Sequence, residues 1–194
     1  MRLLEMEPLS QVLAEITAAL DRVGIRYAVG GSVASSARGV WRSTLDVDLV
    51  AAIRPEQAYD LLAALGAGWY ADAEMIRSAI QSGRSFNLIH MALAHKVDIF
   101  PATADFHFAQ LDRATVVRLG VDKVHCSVAT SEDILLAKLR WYLDGGESSD
   151  RQWNDIVGLI RTNASLDLAY LHLWAARLGV TRLLAKAQSD AQAL

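Results

Sequence analysis

Apolar residues recur at three- and four-residue intervals through the first part of the chain. Leu13, Ile16, Leu20 and Val23 form one such stripe, and this spacing predicts an amphipathic helix over residues 10–23. Gly24 follows the stripe directly, so we expect the helix to end there.

Shorter apolar or alternating segments follow, and they are typical of strands. They predict strands over residues 25–29, 45–50, 86–90, 96–100, 115–119 and 124–129, of which the third and fourth form an antiparallel pair. A short helix is predicted over residues 32–38. Pro55 suits the first turn of another helix that ends near residue 65. The pattern over residues 69–81 is ambiguous.

The chain changes character at residue 130, after which the pattern is helical. Thr130 and Asp133 have capping-box spacing before an apolar run, and Gly145-Gly146 ends that helix. Further helices are predicted over residues 151–161, 166–178 and 181–188. The expected fold class is therefore α/β (α+β). We expect residues 1–128 to form a mixed sheet with flanking helices and residues 129–194 to form a helical region packed against it.

Composition narrows the class of protein. Of the 194 residues, 53 % are hydrophobic, which is enough for a sizeable core. No apolar run approaches the roughly 20 residues that cross a bilayer, and the first residues lack the apolar segment of a signal peptide. Cys126 is the single cysteine, so neither an internal disulfide nor a cysteine-based zinc site is expected. These features predict a cytoplasmic protein with no membrane partner.

The charge of the chain bears on nucleic-acid binding. A net charge of −3 does not indicate a broad surface for nucleic acid. A local basic patch is compatible with this charge, because only the part of a site that contacts phosphate must be positive. If RNA is a substrate, we expect it to be bound modestly and in a salt-sensitive way.

Two acidic residues stand two positions apart in the segment Leu45-Asp46-Val47-Asp48-Leu49. In a strand, residues i and i+2 project from the same face, so Asp46 and Asp48 converge while their apolar neighbours face the core. Close carboxylates repel each other unless a cation lies between them. Mg²⁺ is the natural partner, since it prefers carboxylate and phosphate oxygens.

A glycine-rich turn precedes these acids. The predicted strand 25–29 ends in Gly30-Gly31-Ser32, and thirteen residues separate Ser32 from Asp46. Glycines let the backbone approach a phosphate closely, and N–H groups at a helix start favour an anion. Ser32 adds a hydroxyl donor. The alternative is structural, since glycine turns and exposed Asp pairs are each common in ordinary strands and loops.

In this order and spacing, the two features resemble the nucleotidyltransferase superfamily, which has a DNA polymerase beta-like fold. Its signature is a Gly-Gly or Gly-Ser turn followed by an acid-hydrophobic-acid-hydrophobic strand, here Gly30-Gly31-Ser32 and Asp46-Val47-Asp48-Leu49. Arg42-Ser43-Thr44 also resembles the residues before the acid pair in several branches. The resemblance implies a third acid on a later strand, for which Asp98 is the candidate; an ordinary half-exposed strand acid is the alternative.

The helical part of the chain resembles the minimal, abortive-infection-type branch of this superfamily, which includes bacterial toxin nucleotidyltransferases. Members have a Lys-bearing helix and an Arg-x-x-x-Asp helix, matched here by Lys138 and by Arg151 with Asp155. The resemblance implies that these residues, with Arg42 and the glycine turn, bind nucleotide. Alternatively, Lys138 extends from an apolar stripe to solvent, and Arg151 and Asp155 form a surface ion pair.

The implied function is Mg²⁺-dependent transfer of a nucleoside monophosphate from a nucleoside triphosphate, such as ATP, to an acceptor hydroxyl. Asp46, Asp48 and Asp98 would hold two Mg²⁺ ions. The acceptor is left open between RNA, protein and a small molecule. A toxin–antitoxin relationship, with a cognate antitoxin or a homo-oligomer as partner, follows from the resemblance. The alternative function is a catalytically inactive nucleotide-binding or antitoxin-like partner protein of the same fold.

Overall fold

The computed structural model of the chain describes residues 2–37, 46–119 and 123–193. The first part contains helices α1 to α5, a 3₁₀ turn and strands β1 to β7. In chain order these are α1 Arg2–Val23, β1 Tyr27–Val29, α2 Gly31–Ala37, β2 Asp46–Ala51, the 3₁₀ turn Pro55–Gln57, α3 Ala58–Leu65, β3 Trp69–Tyr70, α4 Ala73–Gln81, β4 Phe86–His90, β5 His95–Pro101, α5 Asp105–Arg113, β6 Thr115–Leu119 and β7 Val124–Val128. The second part contains α6 Ser131–Asp144, α7 Asp150–Thr162, α8 Leu168–Arg177 and α9 Thr181–Gln192.

The described strands form one mixed sheet in the order β3-β4-β5-β2-β1-β7-β6. β2 lies at the centre, parallel to β5 and antiparallel to β1. β7 is parallel to β1, whereas β4 pairs with β5 and β6 pairs with β7 in antiparallel register. The predicted class, a mixed sheet with flanking helices followed by helices, is confirmed, as is the antiparallel pairing of β4 and β5.

One face of the sheet forms the core of the first part. Side chains that alternate along the central strands, Val47 and Leu49 on β2 and Val97 and Ile99 on β5, are completely buried. α1 packs against β7 and α3, and Leu13, Ile16 and Leu20 of its apolar stripe are likewise buried. Burial of a large aliphatic side chain contributes about 1.5–3 kcal/mol, so this face holds the strands in register.

Gly24 ends α1 as predicted. Its φ is +71°, and the N–H groups of Gly24 and Ile25 donate to the carbonyls of Asp21 and Leu20 at 3.0 and 2.9 Å. This double pattern is a Schellman cap, in which a left-handed residue closes the last turn. The helix itself begins at Arg2 and contains Pro8, so it is longer than the predicted range 10–23.

The sequence did not predict the secondary structure of two regions. The ambiguous range 69–81 contains the short strand β3 and then α4, whose Asp72 cap accepts a hydrogen bond from Met75 N at 2.8 Å. α5, over Asp105–Arg113, was not predicted. It buries few residues, Phe106, Gln110 and Leu111, and its first turn is closed by a histidine rather than by a standard capping residue.

The described residues divide into two compact units, one with residues 2–33, 46–119 and 123–129 and the other with residues 34–37 and 130–193. In the second unit α6 packs against α7 and α8, and α7 against α9. The predicted cap of α6 is present, because the Thr130 hydroxyl donates to Asp133 Oδ2 at 2.7 Å and accepts from Asp133 N at 3.3 Å. Asp133 is fully buried and also accepts from the Tyr170 hydroxyl at 2.6 Å.

Among the described helices, none combines the length and the apolar character needed to cross a membrane.

His107 should make the fold sensitive to acid. Its Nδ1 accepts from the backbone N–H groups of Thr103 and Ala104 at 3.2 and 3.4 Å, and burial lowers the pKa of the imidazole. Because the folded-state pKa lies below the unfolded value of about 6.5, the unfolded chain takes up the proton first as the pH falls. This contribution to stability is present above the unfolded pKa and is lost as the pH falls through the folded pKa.

Denaturant unfolding between pH 8 and pH 5 tests this prediction. We expect His107→Gln, which keeps an acceptor at the third helical position but does not titrate, to flatten the acid decline in the free energy of unfolding. His107→Ala should be less stable than His107→Gln at pH 8, because the two N–H groups lose their acceptor. An unchanged acid decline in His107→Gln would contradict the assignment.

Candidate active site

The two predicted carboxylates lie on one face of the central strand. Along β2 the residues alternate between exposed or half-buried and fully buried, so Asp46 and Asp48 project from the face opposite to Val47 and Leu49. We call the face that carries these acids the carboxylate face. The period-two prediction for this strand is therefore confirmed.

Asp98 belongs to the same face. β5 runs parallel to β2 as its neighbour, with Asp48 opposite Asp98 and Asp46 opposite Lys96. Adjacent strands lie about 4.8 Å apart, and residues opposite each other project from the same side. The structure thus brings Asp48 and Asp98 together on neighbouring strands, as the sequence predicts for the strand positions. The roles of these acids stay predictions.

The glycine turn lies against Asp48. Gly30 N donates to the Asp48 carbonyl at 2.8 Å, which ties the end of β1 to β2. Gly31 opens α2 with φ +55°, and a Cβ at this position would lie 1.8 Å from Asp48 Oδ2. An alanine here would clash with the carboxylate and would also adopt a conformation that L residues avoid. Ser32 follows as the second residue of α2.

Lys96 is a component of the face that the sequence prediction did not include. Its Nζ lies 2.6 Å from Asp98 Oδ2, with 40 % of the lysine side chain and 21 % of the aspartate side chain exposed. The hydrogen bond to Asp98, and then the charges of Asp98, Asp46 and Asp48, raise the pKa of the Lys96 ammonium. The period-two spacing of Lys96 and Asp98 is the signal that could have identified it.

The donor set of this face fits a divalent cation in chemistry and in strand position, because carboxylate oxygens from adjacent strands are the ligands Mg²⁺ prefers. Because Gly31 has no Cβ, the Asp48 carboxylate lies directly against the backbone of the glycine turn. Within the described part of the chain, however, no three His, Cys, Asp or Glu side chains are grouped so that they could hold a metal ion. The side chains would have to regroup, and Lys96 would have to leave Asp98.

Lys138 and Asp155 are brought together in the second unit. Lys138 Nζ donates to Asp155 Oδ2 at 3.2 Å, and only 10 % and 15 % of the two side chains are exposed. The alternatives drawn from the sequence, a Lys138 that extends to solvent and a surface pair of Arg151 with Asp155, are therefore wrong. Helical periodicity misplaced Asp155 because its partner comes from another helix. Arg151 is exposed in the first turn of α7, and Arg42 lies outside the described residues.

A cavity of about 620 Å³ lies at the β4 edge of the same unit as the carboxylate face. Asn87, one of its lining residues, is the register partner of Asp98, so the cavity begins one strand away from the third acid. Tyr70 and Met75 line it with 66 % and 73 % of their surface exposed, and Arg84 adds a positive charge. Its size is that of pockets for small molecules.

Solved structures of nucleotidyltransferases are similar to this chain. The solution structure of the antibiotic-resistance factor ANT(2″)-Ia matches 95 % of this chain and 98 % of its own, with a TM-score of 0.56 and 16 % identity. The crystal structure of ANT(2″)-Ia in complex with adenylyl-2″-tobramycin covers 88 % and 97 %, with a TM-score of 0.54 and 18 % identity. An antigenic nucleotidyltransferase-like protein from Paracoccidioides brasiliensis covers 94 % and 93 %, with a TM-score of 0.58 and 20 % identity.

These similarities concern the fold. No protein-family model matches the chain, and no curated protein matches it. At identities of 16–20 %, a likeness over nearly the whole of both chains shows a nucleotidyltransferase-like fold, and the predicted fold is confirmed. The abortive-infection-type branch is not confirmed and stays a prediction.

Gly31→Ala should destabilise the protein through Asp48. We expect a cost in the free energy of unfolding of about 2–4 kcal/mol, from backbone strain together with the displaced carboxylate. In the Asp48→Ala background the cost should fall by about 1–3 kcal/mol, since contacting residues couple by this amount. The measurement is a double-mutant cycle by denaturant unfolding.

Gly24→Ala is the matched control for this cycle. Gly24 has φ +71°, and a Cβ added there would meet nothing within 4 Å, so this substitution reports the backbone cost alone. Equal costs for Gly31→Ala in both backgrounds would show that Asp48 does not set the requirement for glycine.

Lys138→Met should be destabilising, because it removes the ammonium group from the half-buried Asp155 carboxylate. We expect a loss of about 2–4 kcal/mol in the free energy of unfolding, and partial recovery in Lys138→Met/Asp155→Leu. Lys186→Met is the control, since Lys186 pairs with Asp190 at 2.8 Å with 54 % and 40 % exposure; it should cost about 1 kcal/mol or less. A Lys138→Met protein as stable as the Lys186→Met protein would refute a structural role for the pair.

Proposed function

We propose that this chain is a Mg²⁺-dependent nucleotidyltransferase that transfers a nucleoside monophosphate from a nucleoside triphosphate to an acceptor hydroxyl. The observation that carries the proposal is the carboxylate face: three acids on two adjacent parallel strands, with Gly31 against Asp48. A nucleotidyltransferase-like fold over nearly the whole chain supports the same reaction.

In this reaction the acceptor oxygen attacks the α-phosphorus, and the bond from that phosphorus to the bridging oxygen of the leaving pyrophosphate breaks. We assign removal of the hydroxyl proton to Asp98, because it lies on the strand next to the acid pair and opposite Asn87, which lines the cavity. Mg²⁺, held by Asp46, Asp48 and Asp98, would supply charge neutralisation at the phosphates. Two ions are the expectation.

In the first unit, we assign phosphate binding to Gly30, Gly31 and Ser32. Gly31 lacks a Cβ, and a glycine backbone of this kind can approach a phosphate closely. Arg42, Lys138, Arg151 and Asp155 stay predicted nucleotide-binding residues. For Lys138 that role requires release from Asp155, to which it is bound.

A small-molecule hydroxyl is the acceptor class that we place first. The 620 Å³ cavity beside Asn87 supports it, and so does the aminoglycoside product adenylyl-2″-tobramycin bound to one similar structure. The other predicted acceptors are RNA and protein hydroxyls. A toxin–antitoxin role with a cognate antitoxin, and a homo-oligomer as partner, also stay predictions. The single cysteine supports a cytoplasmic location.

The Lys96–Asp98 ion pair favours a second candidate, a nucleotide-binding protein without turnover. The Lys96 ammonium group already lies 2.6 Å from the carboxylate of Asp98, the proposed third acid. A protein of this kind would bind a nucleoside triphosphate and release no pyrophosphate, which separates it from the enzyme.

Pyrophosphate release with each of the four nucleoside triphosphates and Mg²⁺ tests the proposal. The acceptors are a panel of aminoglycosides, total RNA and total protein, with transfer followed from an α-³²P label. We expect label on one acceptor class and a loss of at least about a hundredfold in Asp48→Asn. Asp60→Asn, an exposed acid on α3, is the matched control and should transfer like the parent.

Two results would overturn the enzyme proposal. One is the absence of pyrophosphate release with every triphosphate and acceptor, although nucleotide binding is detected by calorimetry. The other is transfer that is equal in the parent and in Asp48→Asn.

A further inference from the structure

Lys96 places a positive charge within the carboxylate face. It stands opposite Asp46 in the β2–β5 register and two residues before Asp98, whose Oδ2 lies 2.6 Å from its Nζ. A divalent cation bound by these acids would need carboxylate oxygens that now face an ammonium group. Such a cation and the Lys96 ammonium group would therefore compete for the Asp98 carboxylate.

The exposure of the Lys96–Asp98 pair allows the ammonium group to separate from the carboxylate. With 40 % of its side chain exposed, Lys96 reaches water by rotation of its flexible four-carbon stem. A pair with this exposure is held weakly, because solvent screens the attraction and ordering two side chains costs entropy. Release of Asp98 therefore requires no change in the strands.

We propose that Lys96 is an internal counter-ion of the site, which a divalent cation must displace from Asp98 before it binds. This inference rests on the proposed function for the identity of the cation. Lys96 lowers the affinity of the free protein for the cation in two ways: it occupies Asp98, and it repels a second positive charge near Asp46 and Asp48. It is a positioning residue and takes no part in the chemical step.

Binding of Mn²⁺ to the full chain without nucleotide tests the proposal, with the electron paramagnetic resonance signal of the free ion as the readout. Lys96→Met keeps most of the stem and removes the charge, so its Kd for Mn²⁺ should be at least about tenfold lower than that of the parent. Lys96→Arg keeps the charge and should bind like the parent. A variant that merely loses structure would bind Mn²⁺ more weakly, so a gain has no structural explanation of that kind.

Two further variants make the test specific. Lys186→Met changes the net charge by the same amount at a lysine paired with Asp190, and its Kd should equal that of the parent. Lys96→Met/Asp98→Asn should lose the gain, because the freed carboxylate is gone. Equal Kd values for Lys96→Met and the parent, an equal gain in Lys186→Met, or no Mn²⁺ binding by any variant would each overturn the proposal.

The transfer assay separates this inference from the proposed function. If Lys96→Met binds Mn²⁺ more tightly but neither it nor the parent transfers a nucleotide, the counter-ion role stands and the enzyme proposal fails. If the parent transfers nucleotide while Lys96→Met gains no affinity for Mn²⁺, the enzyme proposal stands and the counter-ion role fails.

Discussion

Strand β2 separates two opposite environments within six residues, and the first unit is organised around that separation. Val47, Leu49 and Ala51 are fully buried, while Asp46 and Asp48 face the other side. A shift of one residue in register would bury the carboxylates and expose the aliphatic side chains. The register with β1 and β5 is therefore fixed by burial, and the same register places Asp98 beside Asp48 and Gly30 at the carbonyl of Asp48.

The features that the sequence could predict are those that depend on residues close together in the chain. Alternation identified β2 and β5, a glycine after an apolar stripe identified the end of α1, and spacing identified the Thr130 cap, because each depends on residues close in the chain. α5 had no such signal. Its capping interaction comes from His107 Nδ1, which accepts from Thr103 N and Ala104 N, and its buried positions are too few to form a clear stripe.

The ion pairs of Lys138 and Lys96 were not predicted from the sequence, and the reason differs from that for α5. Lys138 lies in a helix whose apolar neighbours suggested an unpaired ammonium, but its partner Asp155 lies seventeen residues away on α7. Which helix faces which is a property of tertiary packing that periodicity within one helix does not contain. Lys96 and Asp98 differ in this respect, because their period-two spacing on one strand is a local signal from which the pair could have been predicted.

The solvent exposure of their side chains distinguishes Lys96 from Lys138. Lys138 and Asp155 are 10 % and 15 % exposed, so separating them leaves a charge poorly hydrated, which costs far more than the pair contributes. Lys96 is 40 % exposed, so its ammonium group can move into water at less cost than that of Lys138. A lysine that is to serve an incoming phosphate or yield to an incoming cation must be able to leave its carboxylate cheaply. By that criterion Lys96 suits an exchangeable site, whereas Lys138 would need a strong compensating interaction before it left Asp155 to bind a phosphate.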